Sequence, residues 1–134
     1  MFRPFLLCLA LATPAHADVW AMGGYDPVAM MADDEAAAGR PDVVTNWQGK
    51  QWHFNSVENR AAFEANPRAY APGLDGYCVV ALAEGRLEPG DPRYFVLIGN
   101  RIYFLGSPQR RTQIMDNPRE LLMRARDNFA QLSR

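Results

Sequence analysis

A pattern near the middle of the chain recurs 51 positions later and restricts the folds open to it. When residues 47–67 are aligned with residues 98–118, the identical positions are Ser56 with Ser107, Arg60 with Arg111, and Asn66-Pro67 with Asn117-Pro118. Each segment is typical of a β-hairpin, a serine that caps a helix, and an Asn-Pro pair that ends it. A unit this small cannot bury an apolar face alone. We therefore expect two similar β-β-α units, within residues 24–72 and 91–131, that share one core.

Local signals place the elements of these units. Asp26-Pro27 predicts a helix start, and the sequence predicts hairpins over residues 43–54 and 94–105. Residues 76–83 predict a buried helix that ends before Gly85. In the helix after Ser56, Val57 and Phe63 are expected to face inward. The last helix has an apolar stripe, formed by Leu121, Leu122, Ala125 and Phe129. The predicted class is α+β with a C-terminal amphipathic helix.

The first residues are typical of an export signal. Residues 1–4 carry one positive charge, residues 5–12 are apolar, and Ala15-His16-Ala17 has the small-x-small pattern of a signal-peptidase site. The apolar run is shorter than the about 20 residues that span a bilayer. We expect residues 1–17 to be a cleaved signal peptide, with a buried N-terminal strand as the alternative. Residues 18–134 would then be a periplasmic or secreted domain without a membrane span.

Charge limits the partners. The chain has 14 Lys and Arg residues against 15 Asp and Glu residues, so no basic surplus neutralises phosphates and nucleic acid is excluded as a partner. The charge is unevenly placed, because residues 18–39 hold five acids and no base while residues 101–134 hold seven arginines. This asymmetry leaves two alternatives open, a solvated helix face or a homodimer formed through complementary ends.

Few side chains with the chemistry of a reactive site remain after residue 17. Cys78, in an apolar setting, is buried and inert, paired between chains, or a ligand or reactive thiol. Strand alternation places His53 on the polar face opposite Trp52 and Phe54, as a surface histidine, with a ligand, metal or catalytic-base role as alternatives. Thioethers could join thiolate and imidazole around copper(I), so the candidate metal ligands are Cys78, His53, Met30 and Met31. Methionines at this spacing more often fill a core.

An ordered set of short motifs carries a resemblance to a known family. The motifs are Gly24-Tyr25-Asp26-Pro27-Val28-Ala29, Trp47-x-Gly49-x-x-Trp52-x-Phe54-x-Ser56, Asn59-Arg60-Ala61-Ala62-Phe63, Asn66-Pro67-x-x-Tyr70-Ala71-Pro72 and Gly76-Tyr77-Cys78. In this order they resemble the YHS-domain family, in particular its exported single-domain members, over residues 24–85. The resemblance implies a small α+β domain, which here would be residues 18–134.

The resemblance also implies a link to heavy metals, since many relatives handle them through cysteines in D-P-V-C-G-M and F-C-S-x-x-C boxes. This chain has Ala29, Asn55 and Asn59 at those cysteine positions. Soft metals select thiolates, so the substitutions remove the ligands and keep the scaffold.

The function expected from the sequence is therefore an exported YHS-type binding module, non-catalytic, for a small ligand or a protein partner. Its candidate ligand-binding residues are His53, Cys78, Asn55 and Asn59. The cofactor is left open, with a metal as one option although the cysteine ligands of the family are absent. The alternative is a periplasmic copper- or heavy-metal-handling or thiol redox protein that uses Cys78 and His53.

The export signal makes a direct prediction about the mature chain. Because signal peptidase cuts after the small-x-small site, the exported protein should begin at Asp18. Intact-mass measurement of protein recovered outside the cytoplasm checks this. A mass that still includes residues 1–17 would show that the segment is not a cleaved signal.

Overall fold

The computed structural model describes residues 19–134. The helices are α1 Pro27–Asp33, α2 Val57–Ala65, α3 Pro67–Tyr70, α4 Val79–Ala83, α5 Arg110–Asp116 and α6 Pro118–Leu132, and the strands are β1 Arg40–Trp47, β2 Lys50–Phe54, β3 Asp91–Leu97 and β4 Ile102–Leu105. Strands β1–β2 and β3–β4 form two separate antiparallel sheets. The predicted α+β class is confirmed for the described residues. The predicted signal peptide and Asp18 lie outside them.

The two halves of the described chain follow one order of elements: a tight turn, a helix, a hairpin and two further helices. In the first turn Met22, Gly23 and Gly24 have φ values of 54°, 60° and 86°, and in the second turn residues 74–76 have 56°, 52° and 75°. Left-handed backbone is uncommon outside glycine, so its recurrence at Met22 and Leu74 is a specific likeness. The second half therefore starts with the turn Gly73–Gly76, well before the position 91 at which the second unit was expected.

Both hairpins lie where the sequence predicts them and turn in the same way. Gln48-Gly49 and Gly99-Asn100 have positive φ at both residues, which is the type I′ geometry of two-residue hairpin loops. Each sheet also has a register shift after its first pair, between Arg40 and Val44 and between Asp91 and Phe95. The hairpins thus have the same turn and the same irregularity.

The β3–β4 hairpin lies between two clusters of buried side chains. Val96, Tyr103 and Leu105 pack on one face with α4 and α6, in what we call the second-half core. Phe95, Ile102 and Phe104 pack on the other face with residues of α1, the first hairpin and α2, in the first-half core. Burial of all four β4 residues fits a strand covered on both faces. The buried residues of the described chain thus form two clusters instead of one, and the two halves share the first-half core, which contains residues of both.

The Asn-Pro pairs end one helix, as predicted, and each also begins the next. Asn66 and Asn117 have nearly the same extended backbone, with φ of −156° and −150° and ψ of 76° in both. Proline at the next position has no N–H to donate and suits the first turn of the following helix. Helices α3 and α6 therefore start at Pro67 and Pro118.

The two predicted serine caps differ. Ser56 Oγ accepts a hydrogen bond from Asn59 N at 3.1 Å, so this cap is confirmed. The Ser107 cap is wrong, because an extra turn follows β4 and α5 begins only at Arg110, after Gln109. Phe63 is fully buried as expected, whereas Val57 is 53% exposed, because it lies at the first position of α2, outside the apolar face.

Helix α6 presents the predicted apolar stripe to the second-half core. Leu121, Leu122 and Ala125 are buried and Phe129 is partly buried. The Asn128 amide donates to the carbonyls of Leu82 and Ala83, which satisfies the last turn of α4. Within residues 19–134, no helix is long and apolar enough to cross a membrane.

The difference between the two serines makes a stability prediction. Ser56→Ala removes a helix cap and should lower the free energy of unfolding by about 0.5–2 kcal/mol. Ser107→Ala is the matched control, since it removes no side-chain cap and should change stability by less than about 0.5 kcal/mol. Urea unfolding followed by circular dichroism measures both. Equal losses from the two substitutions would contradict the assignment of the cap to Ser56 alone.

Candidate functional site

His53 is buried, with only 1% of its surface exposed, so its predicted position on a polar surface is wrong. The face of β2 that strand alternation assigns to solvent is covered by the segment of residues 19–24. Gln51 N donates to the Val19 carbonyl at 2.8 Å, and the Trp20 ring lies 4.2 Å from the His53 ring, centroid to centroid. Periodicity within β2 could not reveal a cover that comes from 30 residues earlier in the chain.

The surroundings of His53 hold its ring beside a polar side chain. Its Nε2 lies 2.9 Å from Gln51 Oε1. Gly39 lies so close that an added Cβ would be 2.4 Å from the His53 carbonyl carbon, so a larger residue there requires the backbone to move. Burial lowers the pKa of His53 from its ordinary value of 6.5. Among the residues that the structure describes, these contacts give His53 a packing role.

Cys78 is fully buried at the start of α4 in the second-half core. Its Sγ accepts from Ala81 N at 3.5 Å and lies 3.3 Å from Arg110 Nη1, which also bonds Glu88 Oε2 at 2.8 Å. Burial lowers the pKa of Arg110, but its contacts with Cys78 and with Glu88 and Glu84 outweigh burial and raise it. Cys78 is therefore a sealed helix cap, and within residues 19–134 it shares no hydrogen-bonding partner with His53.

Asn55 and Asn59 enclose the carboxylate of Asp26, a residue that the sequence identified only as a helix cap. Asp26 is fully buried. Its Oδ1 accepts from the backbone of Val28 and Ala29 at 2.8 and 3.1 Å. Its Oδ2 accepts from Asn55 N at 2.8 Å and Asn59 Nδ2 at 2.9 Å. Asn59 and Asn55 thus satisfy a buried charge, and their contacts are internal to the fold.

The candidate metal ligands are not brought together. Met30 is fully buried in the first-half core and Met31 packs against that core, whereas Cys78 belongs to the second-half core. Among the residues that the structure describes, no group of three or more His, Cys, Asp or Glu side chains is placed to hold a metal ion. The four candidates thus do not form one site.

A cleft of about 450 Å³ opens elsewhere, between the connection from α1 to β1 and the second half. Its lining consists of Asp34, Glu35, Ala36, Arg93, Tyr94, Phe95, Leu105, Pro108 and Arg111. None of the residues predicted to bind a ligand lies in it. The signals that could have found it were present, since residues 33–35 form an acidic run and Arg111 repeats Arg60, but nothing local places these segments side by side.

The two arginines that line this cleft have different hydrogen-bonding partners. Arg93 donates from Nε to Asp91 Oδ1 at 3.1 Å and from Nη2 to Asp91 Oδ2 at 2.7 Å. This pairing raises the pKa of Arg93. Arg111 donates through Nη1 to the Phe95 carbonyl at 3.0 Å, while its Nη2 stays 3.9 Å from Asp34 Oδ2. That separation exceeds a hydrogen bond. Arg111 is thus anchored at one end and loosely paired at the other.

The remaining lining is largely apolar. Phe95 and Leu105 are 6% and 1% exposed and belong to the two cores, so the bottom of the cleft is firmly packed. The lining supplied by the described residues includes no histidine, cysteine or serine. An apolar base with a few charged groups at the rim suits binding of a small molecule.

Comparison of the chain with models of known protein families, with curated proteins and with solved structures finds no match.

The buried histidine predicts a pH dependence of stability. In the unfolded chain His53 takes up a proton near pH 6.5, whereas burial lowers its pKa in the folded protein. Between these two pKa values the unfolded state binds more protons, so the stability falls as the pH is lowered through this window. Urea midpoints at several pH values below about pH 7 should therefore fall more steeply for the wild type than for His53→Gln.

Trp20→Ala provides a second test of the same burial. Removing the ring that covers His53 should restore contact with water and bring the pH dependence closer to that of His53→Gln. An identical pH dependence of the urea midpoint in wild type and His53→Gln would show that His53 has the same pKa in the folded and unfolded states.

Proposed function

We propose that the chain is an exported, non-catalytic binding module of the YHS type and that its ligand site is the cleft lined by residues 34–36, 93–95, 105, 108 and 111. The cleft itself carries the proposal. Its volume of about 450 Å³ falls within the about 300–1,000 Å³ typical of small-molecule sites. A packed apolar base with charged groups around it is the usual design of such sites.

Binding fits the cleft better than catalysis does. Nucleophilic catalysis needs a nucleophile and a base within hydrogen-bonding reach of each other and of the substrate. The described lining offers carboxylates, guanidinium groups, a tyrosine and apolar surface. His53 and Cys78, the two groups best suited to such chemistry, are both buried and belong to different halves.

The YHS resemblance concerns the scaffold in this proposal. Several residues that carry it have packing or capping contacts: Asp26 and Ser56 begin helices, Trp52, Phe54 and Phe63 are buried together, and Asn66 precedes α3. Ala29, at a cysteine position of metal-handling relatives, is 6% exposed inside α1. The shared order of elements in the two halves supports an origin by duplication of one unit.

Export is compatible with this arrangement. A cut before Asp18 leaves residues 19–24 in place, and these residues cover β2 through the Val19 carbonyl and the Trp20 ring. Processing at the proposed site would therefore preserve the packing of His53.

One contact favours a second candidate, a thiol redox protein. Arg110 Nη1 lies 3.3 Å from Cys78 Sγ, so a charged donor reaches the sulfur. The thiol is fully buried, so this function requires α4 or α5 to open. Fast alkylation of Cys78 in the folded protein, together with no ligand in the cleft, would favour this candidate.

A fragment titration tests the binding module. Nitrogen-15 NMR spectra recorded with a set of small organic acids, amines and zwitterions should show shifts clustered at residues 34–36, 93–95 and 105–111. Ala36→Phe fills the cleft and should abolish them. Ala61→Phe, at an exposed position of α2, is the matched control and should retain them. Shifts confined to other surfaces, or none at all, would contradict the proposal.

A further inference from the structure

We propose that the ligand of the cleft is a small zwitterion with an apolar body, the chemistry of a hydrophobic amino acid. Its carboxylate would bind Arg111, its ammonium group would lie against Asp34 and Glu35, and its apolar part would rest on Phe95 and Leu105. This inference rests on the proposed function, since it specifies the ligand of the same cleft.

The two walls of the cleft carry opposite charges. Asp34 and Glu35 follow α1 in the first half, whereas Arg93 and Arg111 belong to β3 and α5 in the second half. Because acids and bases come from different halves and Arg111 Nη2 lies 3.9 Å from Asp34 Oδ2, a ligand bound at this point meets an acidic and a basic group. A ligand with a single charge would satisfy one wall and leave the other without a counter-charge.

Arg111 is the basic group available to a ligand. Arg93 is already neutralised by Asp91, with the Nη2–Oδ2 distance at 2.7 Å. Arg111 Nη1 donates to the Phe95 carbonyl, and this hydrogen bond orients the guanidinium group. Its Nη2, 3.9 Å from Asp34 Oδ2, makes only a long ion pair there. A guanidinium group has five N–H donors in a planar fork, so Arg111 can donate to a ligand carboxylate and keep its hydrogen bond to the Phe95 carbonyl.

The acidic wall is also held in position. Asp34 adopts a left-handed conformation with φ of 52° at the end of α1, and its backbone N–H bonds the Met30 carbonyl at 2.9 Å. Glu35 comes next and forms no ion pair within residues 19–134. With Arg93 and Asp91 neutralising each other, two carboxylates face one guanidinium group. An ammonium ion supplies the charge that this wall lacks.

The repeat shows that this arrangement belongs to the second half alone. Arg60 is the counterpart of Arg111, but it pairs with Glu64 on its own helix at 3.4 Å. Arg111 has Met115 four residues later, so its own helix offers no acid at that spacing and the side chain reaches across to Asp34. Arg60 is therefore a matched control for Arg111, at the same place in the motif and outside the cleft.

Four probes with the same phenyl group separate the contributions of charge. They are L-phenylalanine, phenethylamine, 3-phenylpropionate and 2-phenylethanol, titrated into the full chain at about pH 7, where carboxylate and amine are both ionised. L-Phenylalanine should bind at least about tenfold more tightly than either singly charged probe, as judged by calorimetry or NMR titration. The neutral alcohol should bind most weakly.

Charge-neutralising variants then assign each wall. Arg111→Gln should weaken L-phenylalanine and 3-phenylpropionate about tenfold and leave phenethylamine no weaker. Asp34→Asn combined with Glu35→Gln should weaken L-phenylalanine and phenethylamine and leave 3-phenylpropionate no weaker. Arg60→Gln and Asp33→Asn are the controls and should change none of the affinities. Circular dichroism and urea midpoints verify that every variant is folded.

The outcomes distinguish the two proposals. Phenethylamine or 3-phenylpropionate binding in the cleft as tightly as L-phenylalanine would overturn the zwitterion and retain the binding module. The same conclusion would follow if another fragment shifted the NMR signals of the cleft residues and L-phenylalanine did not. If no fragment shifts the cleft residues, the binding module fails, and the zwitterion fails with it.

Discussion

The buried carboxylate of Asp26 is the interaction on which the first half depends. Removing a carboxylate from water costs several kcal/mol, so a buried one persists only when its oxygens are well paired. Both oxygens of Asp26 accept N–H groups, two from the start of α1 and two from Asn55 and Asn59. One side chain thereby joins α1 to the end of the first hairpin and to α2. Removal of this side chain would leave those four N–H groups without their acceptor.

The second half has the same backbone design with a weaker cap. Cys78 follows Gly76-Tyr77 as Asp26 follows Gly24-Tyr25, and its sulfur accepts from Ala81 N at a longer 3.5 Å. Since sulfur is a poor acceptor, this cap stabilises α4 less than a carboxylate would. Apolar packing takes its place, because residues 79–82 are all at most 2% exposed and pack with α6. The thiol is thus part of the core, which accounts for its burial.

Much of the local structure could be predicted from the sequence because it depends on neighbouring residues. Type I′ loops at Gln48-Gly49 and Gly99-Asn100, the Asn-Pro pairs and the stripe of α6 are set by turn chemistry and helical periodicity. The errors at His53 and Ser107 have other causes. The cover over His53 comes from residues 19–24, and the start of α5 depends on the extra turn after β4. Tertiary contacts decide both outcomes.

The cleft was beyond sequence reasoning for the same reason, and its position follows from the unequal halves. Hairpin β3–β4 is buried on both faces, so it lies inside the molecule and brings Phe95 and Leu105 to the base of the cleft. Hairpin β1–β2 has the segment of residues 19–24 across it. Arg60 and Arg111 share a position in the repeat but meet different partners, because Arg60 has Glu64 four residues later on its own helix whereas Arg111 has Met115 there and reaches Asp34. The cleft that holds Arg111 thus lies where the acidic connection after α1 meets the start of α5.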